Sequence, residues 1–293
     1  MPATREYLVI EPARRRRAVL GVIRAARRRL VLSIFRCDDA PVLQALAGAS
    51  ARGVAVSAIV TARARAATRD LDRVCDWLTA RGIEVRRSGA PAKYHAKYVV
   101  ADERVGLVTS FNYTAKCFTR TCDFLLITRD PAVVSGLTAL FDADWAGQPA
   151  SLTVAQRERL IVGPDGDPRA RVQGLLHDAR QQIRLLDTKL TDPAIRRALD
   201  DRRDAGVEVE IARRRTLRPL RAHGKLLLID DRAALVGSLA LSPTSLDRRR
   251  ELAIVLRDPR LVAALGAFWH SHCDPAHTST GLGTPAPAAE LAS

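Results

Sequence analysis

Hydrophobic positions along the chain change period repeatedly. Between Arg14 and Arg28 the apolar residues Val19, Leu20, Val22 and Ile23 recur among arginines, which predicts a basic amphipathic helix. Short apolar runs at Leu30–Phe35, Val54–Val60, Tyr94–Ala101, Val105–Thr109 and Phe124–Thr128 predict strands. A helix ends near Ala51-Arg52-Gly53, and Pro131 opens another that runs to Trp145. Glycine just past a helix and proline in a first turn are the usual boundary residues. Strands interleaved with helices predict an α/β sandwich.

The pattern occurs twice. His95, Lys97, Asp102, Ser110 and Arg129-Asp130-Pro131 return 128 positions later as His223, Lys225, Asp230, Ser238 and Arg257-Asp258-Pro259. Upstream the halves match at an offset of 153: Gly21 with Gly174, Ala26 with Ala179, Leu46 with Leu199, Gly53 with Gly206. Two runs of constant offset indicate an internal duplication, and their difference of 25 implies one insertion in the first half. Within it, over about Arg65 to Ile83, Leu71, Val74, Cys75 and Leu78 are spaced for an amphipathic helix. The expected organisation is two tandem α/β lobes, 1–146 and 169–275, related by a pseudo-twofold. A Pro- and Gly-containing linker at 147–168 joins them, and a disordered tail follows at 276–293.

Charge and cysteine usage narrow the setting. A formal charge of +15 favours an anionic partner, nucleic acid or lipid, without naming it. Only five of the 47 basic residues are lysine, an arginine bias of the kind GC-rich coding produces, so the charge is discounted in part. Five scattered cysteines without CxxC spacing fit reduced thiols, with neither a disulfide framework nor a zinc site. No run approaches the ~18–20 uncharged apolar residues that a membrane span needs, and Met1 to Arg17 lacks an apolar signal core. These readings place the chain in the cytoplasm. The basic helix suits either peripheral contact with an anionic membrane at its inner face or a solvated surface over a packed stripe.

The paired motif carries the candidate chemistry. On a strand, His95 and Lys97 point to one face, as do His223 and Lys225. An imidazole attacks or shuttles protons near neutral pH, and a lysine beside it offers a point charge to a phosphoryl oxygen. Two such faces meeting would put an imidazole on each side of one phosphorus. One His then attacks while the other protonates the departing oxygen and activates water or an alcohol. A lone His-x-Lys is a weak signal. Two in register within a repeat, each with Asp seven residues after the His, are not.

The strings His95-x-Lys97-x4-Asp102-x6-Thr109-Ser110-x-Asn112 and His223-x-Lys225-x4-Asp230-x6-Gly237-Ser238-x-Ala240 resemble the HKD motif, HxKx4Dx6GSxN, of the phospholipase D superfamily. The resemblance runs from about Arg14 to Cys273. It implies two α/β lobes with one site at their interface, and a covalent phosphohistidine formed without a metal or other cofactor. It also implies an acidic residue downstream of each motif that holds a catalytic imidazole; Asp123 and Glu251, each 28 residues after a motif His, match. Ser110, Asn112 and Ser238 are then expected at the substrate phosphate. Asp102 and Asp230, on the opposite strand face by parity, are expected to make structural hydrogen bonds. Thr109 departs from the motif glycine, Ala240 from the second asparagine, and Asp123 from the commoner glutamate. Because Asn112 survives only in the first half, His95 is favoured as nucleophile and His223 as general acid.

For the substrate, phospholipid comes first. Ser245-Leu246-Asp247-Arg248-Arg249-Arg250 resembles the Asn-Leu-Asp-x-Arg-Ser stretch of cardiolipin synthases, with Ser245 for the Asn and Arg250 for the Ser. That resemblance implies phospholipase D-type hydrolysis or phosphatidyl transfer. A nuclease or other nucleic-acid phosphodiesterase of the same superfamily is the alternative, favoured by charge but without a separate binding motif. A non-catalytic phosphate-binding platform is the third reading. Tyr94, Tyr98, Phe111, Tyr113 and Phe118 crowd the first motif, either lining an acyl or base pocket or filling the core. His177, His270 and His272 read as surface or core residues.

Overall fold

In the first half of the chain the elements run β1 (Glu6–Val9), α1 (Pro12–Ala25), β2 (Arg29–Ile34), α2 (Ala40–Ala51), β3 (Ala55–Thr61), α3 (Thr68–Thr79), β4 (Glu84–Ser88), β5 (Lys93–Tyr94), β6 (Tyr98–Ala101), β7 (Val105–Thr109), α4 (Ala115–Thr119), β8 (Thr121–Cys122), β9 (Leu125–Thr128) and α5 (Pro131–Ala146). The second half continues with α6 (Val154–Arg159), β10 (Leu160–Gly163), α7 (Pro168–His177), β11 (Gln182–Leu186), α8 (Pro193–Asp204), β12 (Glu208–Ala212), β13 (Arg221–Ala222), β14 (Lys225–Ile229), β15 (Ala233–Gly237), α9 (Pro243–Arg248), β16 (Arg249–Leu256) and α10 (Pro259–His272). This is a computed structural model that describes residues 5–62, 68–88, 93–212, 217 and 219–273, so the expected tail lies outside the described residues. Asp39, Asp130, Asp192 and Asp258 cap α2, α5, α8 and α10 by accepting backbone N–H groups, and each cap is followed by a first-turn proline.

The two large sheets share one plan. The first is ordered β1-β9-β7-β6-β2-β3-β4 and the second β10-β16-β15-β14-β11-β12. In each, the β2/β3 or β11/β12 pair is parallel, and the adjoining β2/β6 or β11/β14 pair is antiparallel. The strand without a counterpart, β4, follows α3 at the edge of the first sheet. The insertion thus adds a helix, burying Leu71, Cys75 and Leu78, and an edge strand to an otherwise complete lobe. The stretch expected as a linker, 147–168, contains α6 and β10, and β10 pairs with β16 as β1 pairs with β9.

Three apolar clusters hold these layers. Val19, Ile23, Leu32 and Leu46 belong to one in the first lobe, and Val172, Ile183, Leu199 and Val255 to one in the second. The third is shared: Tyr98, Phe124, Leu137 and Phe141 pack with Leu226, Leu252, Leu265 and Trp269 from the other half. Phe124 and Phe268 meet edge to face across it, with centroids 5.4 Å apart. A dense common core fixes the lobes relative to each other as a domain interior would. The five aromatic residues around the first motif are each exposed by 3% or less, so they fill the core and line no acyl or base pocket. No helix among the described residues is long and apolar enough to cross a membrane.

Candidate active site

Two short parallel ladders cross between the lobes. Lys93 and Tyr94 of β5 stand opposite Arg249 and Arg250 at the start of β16. Arg221 and Ala222 of β13 stand opposite Thr121 and Cys122 of β8. At the offset of 128 these are one pairing made in both directions. Each exchanged dipeptide lies just before a motif histidine, and each partner dipeptide just before a carboxylate. The result is a crossed pair: His95 Nδ1 lies 2.9 Å from Glu251 Oε2, and His223 Nδ1 lies 2.8 Å from Asp123 Oδ1. Each imidazole is held by the carboxylate of the opposite lobe.

The same exchange corrects the expectation that the histidines sit within continuous strands. β5 stops at Tyr94, β6 begins at Tyr98, and β14 begins only at Lys225. His95 N–H is drawn to Arg250 O at 2.8 Å, while Lys97 O accepts Thr109 N–H at 3.0 Å. In the second half Gly224 N–H donates to Cys122 O at 2.7 Å. A Cβ on Gly224 would lie 2.9 Å from that oxygen and 3.0 Å from Asp123 Cα, so the closeness of the lobes requires glycine there. The lysine ammonium groups fold back, Lys97 Nζ donating to His95 O and Lys225 Nζ to His223 O at 2.8 Å.

Both carboxylates are fully buried and fully engaged. Asp123 accepts from Ser110 Oγ at 2.7 Å and Thr121 Oγ1 at 2.5 Å, and Glu251 accepts from Ser245 Oγ at 2.8 Å. Ser110 and Ser238 were expected at the phosphate, but each is 1% exposed. Their hydroxyls accept the N–H groups of Phe124 and Leu252, and they lie beneath the carboxylates. Asn112 follows β7, and its Oδ1 is buried with no hydrogen-bond partner among the described residues. Asp102 and Asp230 occupy left-handed turn positions with φ of 53° and 49°, beyond the strands whose parity was used to place them. Asp102 accepts the N–H groups of Arg27, Arg28 and Arg29; Asp230 accepts those of Arg180, Gln181 and Gln182. Each ties the end of a motif strand to the start of β2 or β11.

Arg15, expected on a basic helical face, is wholly buried. It donates to the carbonyls of Ile10, Cys117, Thr121 and Asp123, and so braces the segment that carries the Asp123 carboxylate. In the Ser245–Arg250 stretch that resembled a lipid enzyme, Ser245, Leu246 and Arg250 are buried while Asp247 and Arg248 are exposed. Ser245 holds Glu251, Asp247 pairs with Arg169, and Arg250 binds Gly163 O, Asp165 and Asp144.

The two imidazoles differ in surroundings. His95 is 17% exposed and His223 34%. The Phe35 ring meets His95 edge to face at 4.5 Å, where the 153 offset places Thr188 in the other half. Burial, then the charge of Lys97, brings His95 down to about 4 against the pull of Glu251. Burial also brings Lys97 down to about 7. Burial pushes Glu251 up, but His95 and Lys97 outweigh it and hold the carboxyl at about 2. For Asp123 burial is likewise outweighed, chiefly by His223, so it sits below its ordinary value. An anionic carboxylate only accepts, so it keeps the proton on Nδ1 and leaves Nε2 with a lone pair.

Lysine is scarce in this chain, yet four of its five lysines meet here. The Nζ atoms of Lys97 and Lys93 lie 5.0 and 5.4 Å from the Phe35 ring centroid. Lys189 is lowered by burial, then by Lys225 and Arg249, and it feels Glu251. Lys93, Lys189 and Phe35 had no place in the motif; scarcity was the signal that could have singled out the two lysines. Cys117, Asp123 and His223 also come together, with their ligand atoms within 4.8 Å of one another. Both Asp123 oxygens already accept hydrogen bonds, from Thr121 and His223, and burial raises the Cys117 thiol.

The duplicated sheets and the crossed histidine pairs define a class. The sequence model of the family described as "Cardiolipin synthase, PLD-like domain" matches residues 19–145 and 169–271, and the chain belongs to that phospholipase D-like family. The chain is 27% identical over 289 residues to the polyphosphate kinase of Mycobacterium ulcerans, covering 84% of this chain and 38% of that one. It spans less than half the length of the curated relatives it matches. Polyphosphate kinase from Porphyromonas gingivalis superposes with a TM-score of 0.72 at 20% identity, over 90% of this chain and 46% of that one. Phosphatidylserine synthase from Haemophilus influenzae superposes with a TM-score of 0.74 at 11% identity, over 95% and 88%. These structural likenesses establish the two-lobed fold.

Proposed function

We propose that the chain transfers a phosphorus-centred group through a phosphohistidine, with His95 as nucleophile and His223 as general acid and base. The observation that carries this is the crossed pairing of each imidazole with a buried carboxylate of the other lobe. Nε2 of neutral His95 attacks phosphorus, and the bond from phosphorus to the leaving oxygen breaks. His223, entering the step as the imidazolium, gives its Nε2 proton to that oxygen and is left neutral, with its Nδ1 proton still donated to Asp123. An acceptor hydroxyl or water then passes its proton to His223 as its oxygen attacks, and the N–P bond breaks to restore His95. In this reading Lys97 and Lys225, each beside its motif histidine, supply the positive charge for the phosphoryl oxygens. The enclosed setting of His95 supports its assignment as the unprotonated attacking group, independently of the Asn112 argument.

The substrate class we infer is a phosphate diester or anhydride within an anionic strand, as in nucleic acid or polyphosphate. Four of five lysines around one site support several phosphate contacts. The relatives named polyphosphate kinase point the same way. Phospholipid has less to stand on, because the aromatic cluster is core and, of the Ser245–Arg250 stretch, Ser245 holds Glu251 and Arg250 is tied to Asp144 and Asp165. The deciding experiment is a panel of polyphosphate, single- and double-stranded DNA, and phospholipid vesicles, read by product release, with His95→Ala and His223→Ala as controls. Turnover of an anionic strand that both variants lose is the expected result. Headgroup release from vesicles with every strand inert would restore the phospholipid reading.

A further inference from the structure

A hollow of about 970 Å³ opens on the first lobe between α1 and the sheet edge formed by β1, β9, β7 and β6. It is at the upper end of the range for small-molecule sites. None of the histidines, lysines or carboxylates described above lines it except Asp102. Ala101 and Asp102 lie at the far end of β6 from His95, so the hollow and His95 are separated by the length of that strand.

Its floor is apolar. Val9, Val105 and Ile127 come from the sheet, and Ala18 and Val22 from α1. Gly21 adds no side chain, and a Cβ there would meet nothing within 4 Å. At the matching positions of the second lobe, offset by 153, stand Arg171 and Leu175 in place of Ala18 and Val22. The Arg171 side chain turns to the carbonyl of Arg157. The hollow therefore belongs to the first lobe's own side chains and is not dictated by the repeat.

Its rim is cationic. Arg14, Arg17, Arg104 and Arg129 line it. Arg14 is turned to Tyr7 and Glu11, whereas Arg17, Arg104 and Arg129 are exposed and have no side-chain hydrogen bond or ion pair among the described residues. The one carboxylate in the lining, Asp102, is occupied by three backbone N–H groups and offers these arginines nothing. An apolar floor under uncompensated guanidinium groups fits a molecule with an apolar chain and an anionic head.

We propose that this hollow is an accessory binding site for a single-chain anionic amphiphile, with its tail along the Val9–Val22–Ile127 floor and its head among Arg17, Arg104 and Arg129. The apolar residues lie at the bottom of a concavity rather than on a protruding face, so the site takes a single chain and not a bilayer surface. The proposal does not depend on the phosphohistidine reading.

Isothermal titration of the full chain with monomeric dodecyl phosphate, below its micellar concentration, tests it. Saturable binding of one molecule per chain is expected. Dodecyl maltoside and inorganic phosphate should bind at least about tenfold more weakly, since each supplies only half of the recognition. Ala18→Arg, which places the second lobe's residue in the hollow, should abolish binding. Arg17→Gln with Arg104→Gln should weaken it by about tenfold or more. Product release at the histidine site and circular dichroism should be unchanged in both variants, since the altered positions are remote and partly or fully exposed. Unaltered binding by Ala18→Arg overturns the proposal. So does binding to phosphatidylglycerol vesicles without binding of the monomer, or equal binding of phosphate alone.

Discussion

Glu251→Gln is the sharpest perturbation of the crossed site, because its neighbours dictate how the amide must lie. Ser245 Oγ accepts the Ala240 N–H at 3.0 Å and directs its own proton to Glu251 Oε1 at 2.8 Å. The glutamine carbonyl must therefore face Ser245, which turns its NH2 group toward His95 Nδ1. That nitrogen then has to accept, and the imidazole proton moves to Nε2. The attacking lone pair is lost while size and shape are kept. Replacing a triad carboxylate by its amide costs about ten-thousandfold in kcat by the same tautomer argument, or ~5.4 kcal/mol of barrier. Single-turnover rates with an activated phosphodiester measure the loss. Histidine 15N spectra should show the tautomer change at His95 while His223 keeps its own. A fall of less than tenfold, or a tautomer change confined to His223, would refute the crossed arrangement.

Three further outcomes follow from the geometry. The pH profile of kcat/KM should rise through about 4, where His95 loses its proton, and fall through about 7, where Lys97 loses its charge; a profile still rising above pH 8 would contradict these roles. Phe35→Ala opens His95 to water, so the acid limb should move up toward the ordinary 6.5 while Phe35→Leu leaves it low; an unmoved limb in Phe35→Ala would remove the ring's role. Asp102→Ala strips three backbone N–H groups of their acceptor, which at about 1 kcal/mol each should cost ~3 kcal/mol and lower Tm by about 6–12 °C. Calorimetry checks it, and an unchanged Tm would mean that water serves those groups equally well.

Much of this was legible in the sequence because duplication writes itself twice. The offsets of 128 and 153 anticipated two sheets with one strand order and the position of the inserted helix α3. His95 and His223 could be named from spacing, and the two carboxylates from the family resemblance that the spacing supported. What spacing could not reveal was which carboxylate meets which histidine, since that depends on β5 and β13 crossing to the other lobe. Two-residue strands leave no periodicity to detect. The roles of Ser110, Ser238 and Arg15 were hidden for a related reason. A hydroxyl or guanidinium reads as polar surface until burial and partners show it satisfying a buried group. Phe35 escaped notice because an edge-to-face ring contact between distant segments has no sequence signature. Only the rarity of lysine could have marked Lys93 and Lys189.

The central claim is that both lobes form one site in which His95 carries the phosphorus. Its most direct measurement is peptide mapping by mass spectrometry after mixing His223→Ala with an activated phosphodiester, under an acid-free quench that preserves phosphohistidine. A leaving group that needs little protonation lets this variant form the adduct and then stall for want of a base. The account predicts one adduct per chain, on the peptide containing His95, and none in His95→Ala. An adduct on His223 in His95→Ala, with none on His95 in His223→Ala, would reverse the roles. Adducts on both histidines of one wild-type chain would contradict a single shared site.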